Sequence, residues 1–181
     1  MMMSVALHEC GHIFVYSCAN VVIDEIHLQP FGVRITVRNE ALIRSGIQLV
    51  CALAGPLVNL ICVLIFWLIS TVISMPEWGW IFYLSNLFLG IFNLLPIMPL
   101  DGSRILGILL SAIFHEYISR IVCAWISFIF GIGVFVLGIF VLIDSGMNVS
   151  LCMLAGYILI CLAVKIYNLL KKRISNVKPK S

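Results

Sequence analysis

Charge is what this chain has least of. Only 10% of its 181 residues are Asp, Glu, Lys or Arg, while 62% are hydrophobic; a soluble domain carries roughly 25% charged residues. That shortage, with a mean hydropathy of +1.16, excludes a water-soluble protein and makes this an integral membrane protein in contact with a lipid bilayer. No nucleic-acid partner is expected. The seven cysteines (10, 18, 51, 62, 123, 152 and 161) have no CxxC spacing and lie almost entirely in apolar segments. A disulfide framework is therefore not expected, and the thiols read as small buried hydrophobes. Met1-Met2-Met3 leads directly into an apolar run with no charged stretch before it and no small-residue cleavage site, so a signal peptide is not expected here. The chain is expected to begin partway through a transmembrane helix.

Apolar residues then dominate the organisation. Segments run from Met1 to about Val22, Ser45 to Ser74, Trp78 to about Leu110, about Ile118 to Ile143, and about Val149 to Leu170. Each of the later ones has the roughly 20 apolar residues that cross a bilayer. The expectation is an all-α polytopic membrane protein of about five transmembrane segments. Residues 1–175 would form one membrane-embedded domain and 176–181 a cytoplasmic tail. Arg34, Arg38, Arg44, Arg120 and the tail Lys171-Lys172-Arg173 fall on one side of such a threading, whereas the turns at Met75–Glu77 and Asp144–Asn148 hold no Lys or Arg. The positive-inside rule makes that side, and the C-terminus, cytoplasmic. Between the first two segments, residues 23–38 alternate apolar and polar around Pro30-Phe31-Gly32, the pattern of a short β-hairpin. Its open edge would accept an extended peptide, or it is a plain structured loop.

Within the first apolar segment stands His8-Glu9-Cys10-Gly11-His12. On a helix the two imidazoles project from one face and can hold one zinc ion, with Glu9 placed to take a proton from water. Ionisable residues inside a membrane segment are expensive and mark function. The bland alternative is hydrogen bonding to neighbouring helices. Gly11 would let another backbone or a substrate approach, and Cys10 should point away from the histidine face.

A catalytic zinc takes three protein ligands and keeps one open position. The stretch Asn93-Leu-Leu-Pro96-Ile-Met-Pro99-Leu-Asp101-Gly102 supplies a third candidate, because two prolines should unwind the span there and aim Asp101 into a covered cavity. The alternative for Asp101 is an ion pair with Arg104. Asn93 could donate to a substrate carbonyl or developing oxyanion, or simply tie two helices together. Gly55-Pro56 reads as a small-residue break that packs helices, with Asn59 as a structural amide. His27 and His115 have no ligand spacing and read as interfacial. Lys165 can snorkel to the cytoplasmic face.

HECGH (8–12), the PFG turn (30–32), AGPLVN (54–59) and NLLPIMPLDG (93–102) occur in one order over about the first 110 residues. Together they resemble the site-2 protease family of intramembrane zinc metalloproteases. The resemblance implies His8, His12 and Asp101 as ligands of one zinc ion, Glu9 as general base, and Asn93 as a substrate-facing residue near the active site. The short hairpin, with no inserted domain, is similar to the stage IV sporulation protein FB subgroup. That similarity implies a membrane-tethered protein substrate such as a sporulation sigma-factor precursor, with membrane regulatory proteins as partners, in a bacterial cell membrane. The family core also has a helix ahead of the HExxH helix, and it is expected to be missing here. The alternatives are a catalytically inactive membrane scaffold and an ion or metal transporter; the latter would line several spans with polar residues, which this sequence does not do.

Overall fold

The computed structural model describes residues 1–29, 32–37, 43–145, 153, 156–164 and 166–168. They divide into two compact units, Met1–Leu94 and Leu95–Ser181.

The first unit begins with α1 (Met2–Cys18), which carries the HECGH motif. The helix stops because Asn20 turns left-handed at φ 53°, a conformation asparagine tolerates better than most residues. Asn20 N–H then donates to Ser17 and Val21 N–H to Tyr16, each at 3.0–3.1 Å. This is the Schellman closure of a helix C-terminus, and Val21 packs against the buried cluster that contains Tyr16. The chain leaves this stop as β1 (Ile23–Gln29) and returns antiparallel as β2 (Gly32–Val37), with Gln29 opposite Gly32 and Ile23 opposite Val37. The hairpin expected from the alternating pattern is present, while the Pro30-Phe31 part of its turn lies outside the described residues. Tyr16, Val37 and Cys51 form a buried cluster, which ties the end of α1 and the hairpin to the start of α2.

Helix α2 (Ser45–Ser70) is continuous, with Pro56 inside it. The expected break at Gly55-Pro56 is therefore a tolerated proline rather than a stop. It removes one N–H donor, but the bonds before and after that position carry the helix through. Helix α1 lies close against α2 at Gly11, where a Cβ would fall 2.8 Å from the Ala54 carbonyl oxygen and 2.9 Å from Val58. The neighbour that Gly11 admits is thus the backbone of α2. Helix α3 (Glu77–Asn93) starts after Pro76 with Glu77 in its first turn, where a negative charge suits the helix dipole. Asn86 of α3 donates to Ser4 of α1 at 3.1 Å and to the Phe82 carbonyl at 2.8 Å.

In the second unit α4 (Asp101–Ile113) is followed by α5 (Glu116–Ser145). The apolar stretch read as one span from Trp78 to Leu110 is therefore two helices. Neither Pro96 nor Pro99 can donate to a helix, and each disfavours helical geometry in the residue before it. The irregular backbone needs partners. Ser127 of α5 donates to the Pro96 carbonyl at 2.9 Å, and Ile97 N–H and Leu100 N–H close tight turns onto Leu95 and Ile97 at 2.7 Å. Ser119 donates to the Gly107 carbonyl at 3.0 Å and Cys123 to the Ser103 carbonyl at 3.3 Å, so small polar side chains of α5 hold α4. Ile97, Ile158 and Leu162 form the buried apolar cluster of this unit.

Among the described residues, two helices are long and apolar enough to cross a membrane, Ser45–Ser70 and Glu116–Asp144. Helices α1 and α3 have 17 residues each. Of the last apolar segment, 156–164 is helical; Lys165 and the basic tail lie outside the described residues. Phe14, Phe88 and Phe140 are each 69% exposed. Water would penalise such surfaces, and lipid accepts them. The cysteines depart from expectation for the same reason. Cys51 and Cys123 are buried, but Cys10, Cys18 and Cys161 are exposed, on surfaces where an apolar thiol needs no protein cover if lipid supplies it.

Candidate metal centre

The helical repeat of α1 places His8 and His12 one turn apart on its buried side, with Glu9 partly buried and Cys10 exposed. Cys10 points away from the histidine pair, as expected. The two rings meet edge to face at an interplanar angle of 80°, and their Nε2 atoms lie 3.3 Å apart. Two nitrogens bound to one tetrahedral zinc, each at about 2.0–2.1 Å, would be about 3.3–3.4 Å apart. The pair already has the spacing that one such ion requires.

Helix α2 holds that pair at three successive turns. At the first, the Cys51 carbonyl oxygen lies 2.7 Å from Nδ1 of His12. A carbonyl can only accept, so Nδ1 carries the ring proton and Nε2 presents its lone pair inward. At the second, Gly55 has no side chain, and a Cβ there would lie 2.6 Å from His8 Nε2 and against His12 Nε2 as well. That is the space an ion bound to both nitrogens needs. At the third, the Asn59 carboxamide, fully buried, reaches Nδ1 of His8 at 3.2 Å. Each imidazole is thus held at its outer nitrogen with its inner nitrogen turned toward the other ring, the arrangement that orients histidine ligands at metal sites. The residues present fit a zinc ion.

Asn93, the last residue of α3, brings Nδ2 to 3.4 Å from His8 Nε2, so it borders the same space. Asp101 opens α4 in the second unit and is partly buried. His115 is exposed between α4 and α5, and His27 lies on β1. Reading the sequence residue by residue undervalued Gly55 and Asn59. Their signal was a repeat of four: 51, 55 and 59 mark one stripe of α2, matching 8 and 12 on α1.

A family profile described as Peptidase family M50 matches residues 73–137, the part of the chain with α3, Asp101 and α4. The chain is thus similar to M50 peptidases over that part of its length. A zinc metalloprotease of Methanocaldococcus jannaschii is 38% identical over 115 residues, covering 60% of this chain and 32% of that protein. A Synechocystis protein that carries a zinc metalloprotease name is 33% identical over 108 residues, covering 57% of this chain and 28% of its own length. The matches span about a third of those curated relatives. The solved structure of a site-2 protease from Methanocaldococcus jannaschii superposes with a TM-score of 0.68 at 28% identity, covering 91% of this chain and 74% of that one. These findings show a site-2 protease-like fold and a similarity to M50 zinc metalloproteases. The M50 family also implies zinc, for which the His8–His12 pair has the spacing.

Proposed function

We propose that this protein is an intramembrane zinc metalloprotease that hydrolyses peptide bonds in membrane-embedded or membrane-tethered protein substrates. The observation that carries the reading is the convergence of His8 and His12 Nε2 at 3.3 Å, in a buried site whose third wall is a glycine. Asp101 is the third ligand in this reading, carried by the sequence motif that holds it: two imidazole nitrogens and a carboxylate oxygen are a zinc donor set of the catalytic type, leaving one position open. Zinc, when bound, supplies an acidified water and a polarised scissile carbonyl. Glu9 takes the proton of the attacking water and returns it to the departing amine. Asn93 donates its amide N–H to the carbonyl oxygen as negative charge grows there.

A transmembrane helix hides its peptide bonds in its own hydrogen bonds, so the substrate must unwind before attack. An open edge of the β1–β2 hairpin offers main-chain partners to the unwound stretch. The protein is read as a multi-pass protein of about five spans in a bacterial cell membrane, C-terminus cytoplasmic, working with membrane regulatory proteins. Its compact hairpin favours the sporulation subgroup, and hence a membrane-associated sigma-factor precursor as substrate. Co-expression with a tethered candidate substrate tests the activity. Glu9→Gln should keep zinc and abolish cleavage; a Glu9→Gln variant that cuts at the wild-type rate removes the assignment.

A further inference from the structure

Two carboxamides of the first unit each bury an oxygen that no protein donor reaches. Among the described residues, Asn59 Oδ1 on α2 and Asn86 Oδ1 on α3 have no hydrogen-bond partner, and both residues are fully buried. A polar atom taken out of water needs a partner inside. Turning the amides does not supply one. Asn86 Nδ2 donates to Ser4 Oγ at 3.1 Å and to the Phe82 carbonyl at 2.8 Å, which uses both of its hydrogens. Reversed, that amide would set Oδ1 against a carbonyl, which can only accept. Asn59 has one end at His8 Nδ1, 3.2 Å away, so whichever end faces His8, the other is buried away from it.

The two orphan oxygens belong to one corner. Ser4 and His8 are four residues apart on α1, and Asn86 and Gly90 are four apart on α3; each step is about one helical turn, roughly 5.4 Å. Asn59 meets the later member of both pairs. Its amide reaches His8, and a Cβ built at Gly90 would lie 3.3 Å from the Asn59 Cβ. The earlier members, Ser4 and Asn86, bond to each other. The two amides therefore stand about one turn apart where α1, α2 and α3 meet, and Ser4 and Gly90 bring little volume there.

We infer that one water molecule binds at this three-helix junction, donating to Asn59 Oδ1 and Asn86 Oδ1 and accepting from the hydroxyl of Ser4. The donor count selects water. Two acceptors call for a ligand with two hydrogens to give, and the Ser4 hydroxyl, which accepts from Asn86 through its oxygen, can turn its own hydrogen toward the same ligand. Three hydrogen bonds are the usual number for a buried water. Bonds of about 2.8 Å on either side let one water span about 5.6 Å between oxygens, which matches the one-turn offset of the amides. An anion would find two like poles, and a cation would find no carboxylate among these groups. The water braces Asn59 from the side away from His8 and so ties α3 to the side chain that holds that ring. Because water both donates and accepts, it serves either end of the Asn59 amide. The site depends neither on a bound metal nor on the protonation of the histidines, and it stands apart from the metalloprotease reading.

The test is magnetisation transfer from water to side-chain amides in the purified full-length protein, labelled with nitrogen-15 asparagine. Through-bond connection to the backbone assigns the Asn59 and Asn86 amides. In the wild type both should show a cross-peak at the water frequency, with the sign of a long-lived bound water. Asn86→Leu puts a methyl group where the acceptor was, and the Asn59 cross-peak should be lost. Ser4→Ala removes one bond of the three and any signal relayed by hydroxyl exchange, so both cross-peaks should persist, weakened. A wild type with no cross-peak at either amide overturns the inference, whether the corner is dry or holds a cation. So does an Asn59 cross-peak at full strength in Asn86→Leu, or the disappearance of both in Ser4→Ala. Where a variant does not fold, the wild-type cross-peaks decide alone.

Discussion

His12 donates from Nδ1 to the carbonyl oxygen of Cys51 across 2.7 Å. The main chain of α2 is thereby the tether of a ring on α1. A carbonyl has two lone pairs, so Cys51 can serve the ring as well as its own helix. Because the tether is backbone, no substitution at residue 51 deletes it. Cys51→Ala should leave zinc affinity within about twofold of wild type, lowering stability only by the buried volume lost. Equilibrium competition against a chromogenic chelator measures the first effect and thermal unfolding in detergent the second.

Gly55 is different, because what matters there is an absence. A single added methyl would stand 2.6 Å from His8 Nε2 and against His12 Nε2, in the place of the ion. Gly55→Ala is expected to lose zinc and cleavage together. Gly133→Ala is the matched control: nothing lies within 4 Å of a Cβ built there, and replacing a glycine inside a helix typically gains about 0.5–1 kcal/mol. Zinc content per chain, compared between the two variants, separates a blocked site from a general glycine effect. A zinc-replete Gly55→Ala would mean that the ion sits elsewhere.

Much of this was legible in the sequence because each motif carries its own chemistry. The spacing of His8 and His12 announced the pair, the alternation of 23–37 announced the hairpin, and Pro96 with Pro99 announced the end of a helix. Residues whose role depends on a partner element were not legible. Asn59 looked like an ordinary buried amide until α2 was laid against α1. Gly55-Pro56 read as a small-residue break, yet the helix runs through Pro56. The cysteines were read as buried because apolar residues usually are; here much of the apolar surface faces outward, and Cys10, Cys18 and Cys161 go with it.

Ser127 should matter more than a small hydroxyl usually does. It is fully buried on α5 and donates to the Pro96 carbonyl at 2.9 Å, within backbone that the prolines have unwound ahead of Asp101. In Ser127→Ala that carbonyl loses a partner in a place where water is scarce. The expected cost is about 1 kcal/mol, from the net worth of a hydrogen bond and from measured polar contacts between membrane helices. A lowered detergent unfolding midpoint would show it, and Ser127→Thr, which keeps the hydroxyl, should recover part of the loss.

Asp101 and Asn93 make a contrast that separates holding the metal from using it. With Asp101→Ala the proposed ligand set falls from three residues to two, so zinc affinity should fall by orders of magnitude and cleavage with it. Unchanged metal content would remove Asp101 from the set. Asn93 borders the same space through an amide 3.4 Å from His8 Nε2, but an amide N–H is a donor and cannot ligate zinc. Asn93→Ala should therefore keep zinc at wild-type affinity and lower kcat by about 10²–10³-fold, the usual effect of removing one oxyanion donor. KM should change little, since the bond is made chiefly as charge develops in the transition state. If Asn93 only tied helices together, the variant would instead lose thermal stability and leave kcat per folded molecule unchanged. Kinetics on the folded fraction, with zinc content measured on the same sample, tells the two apart.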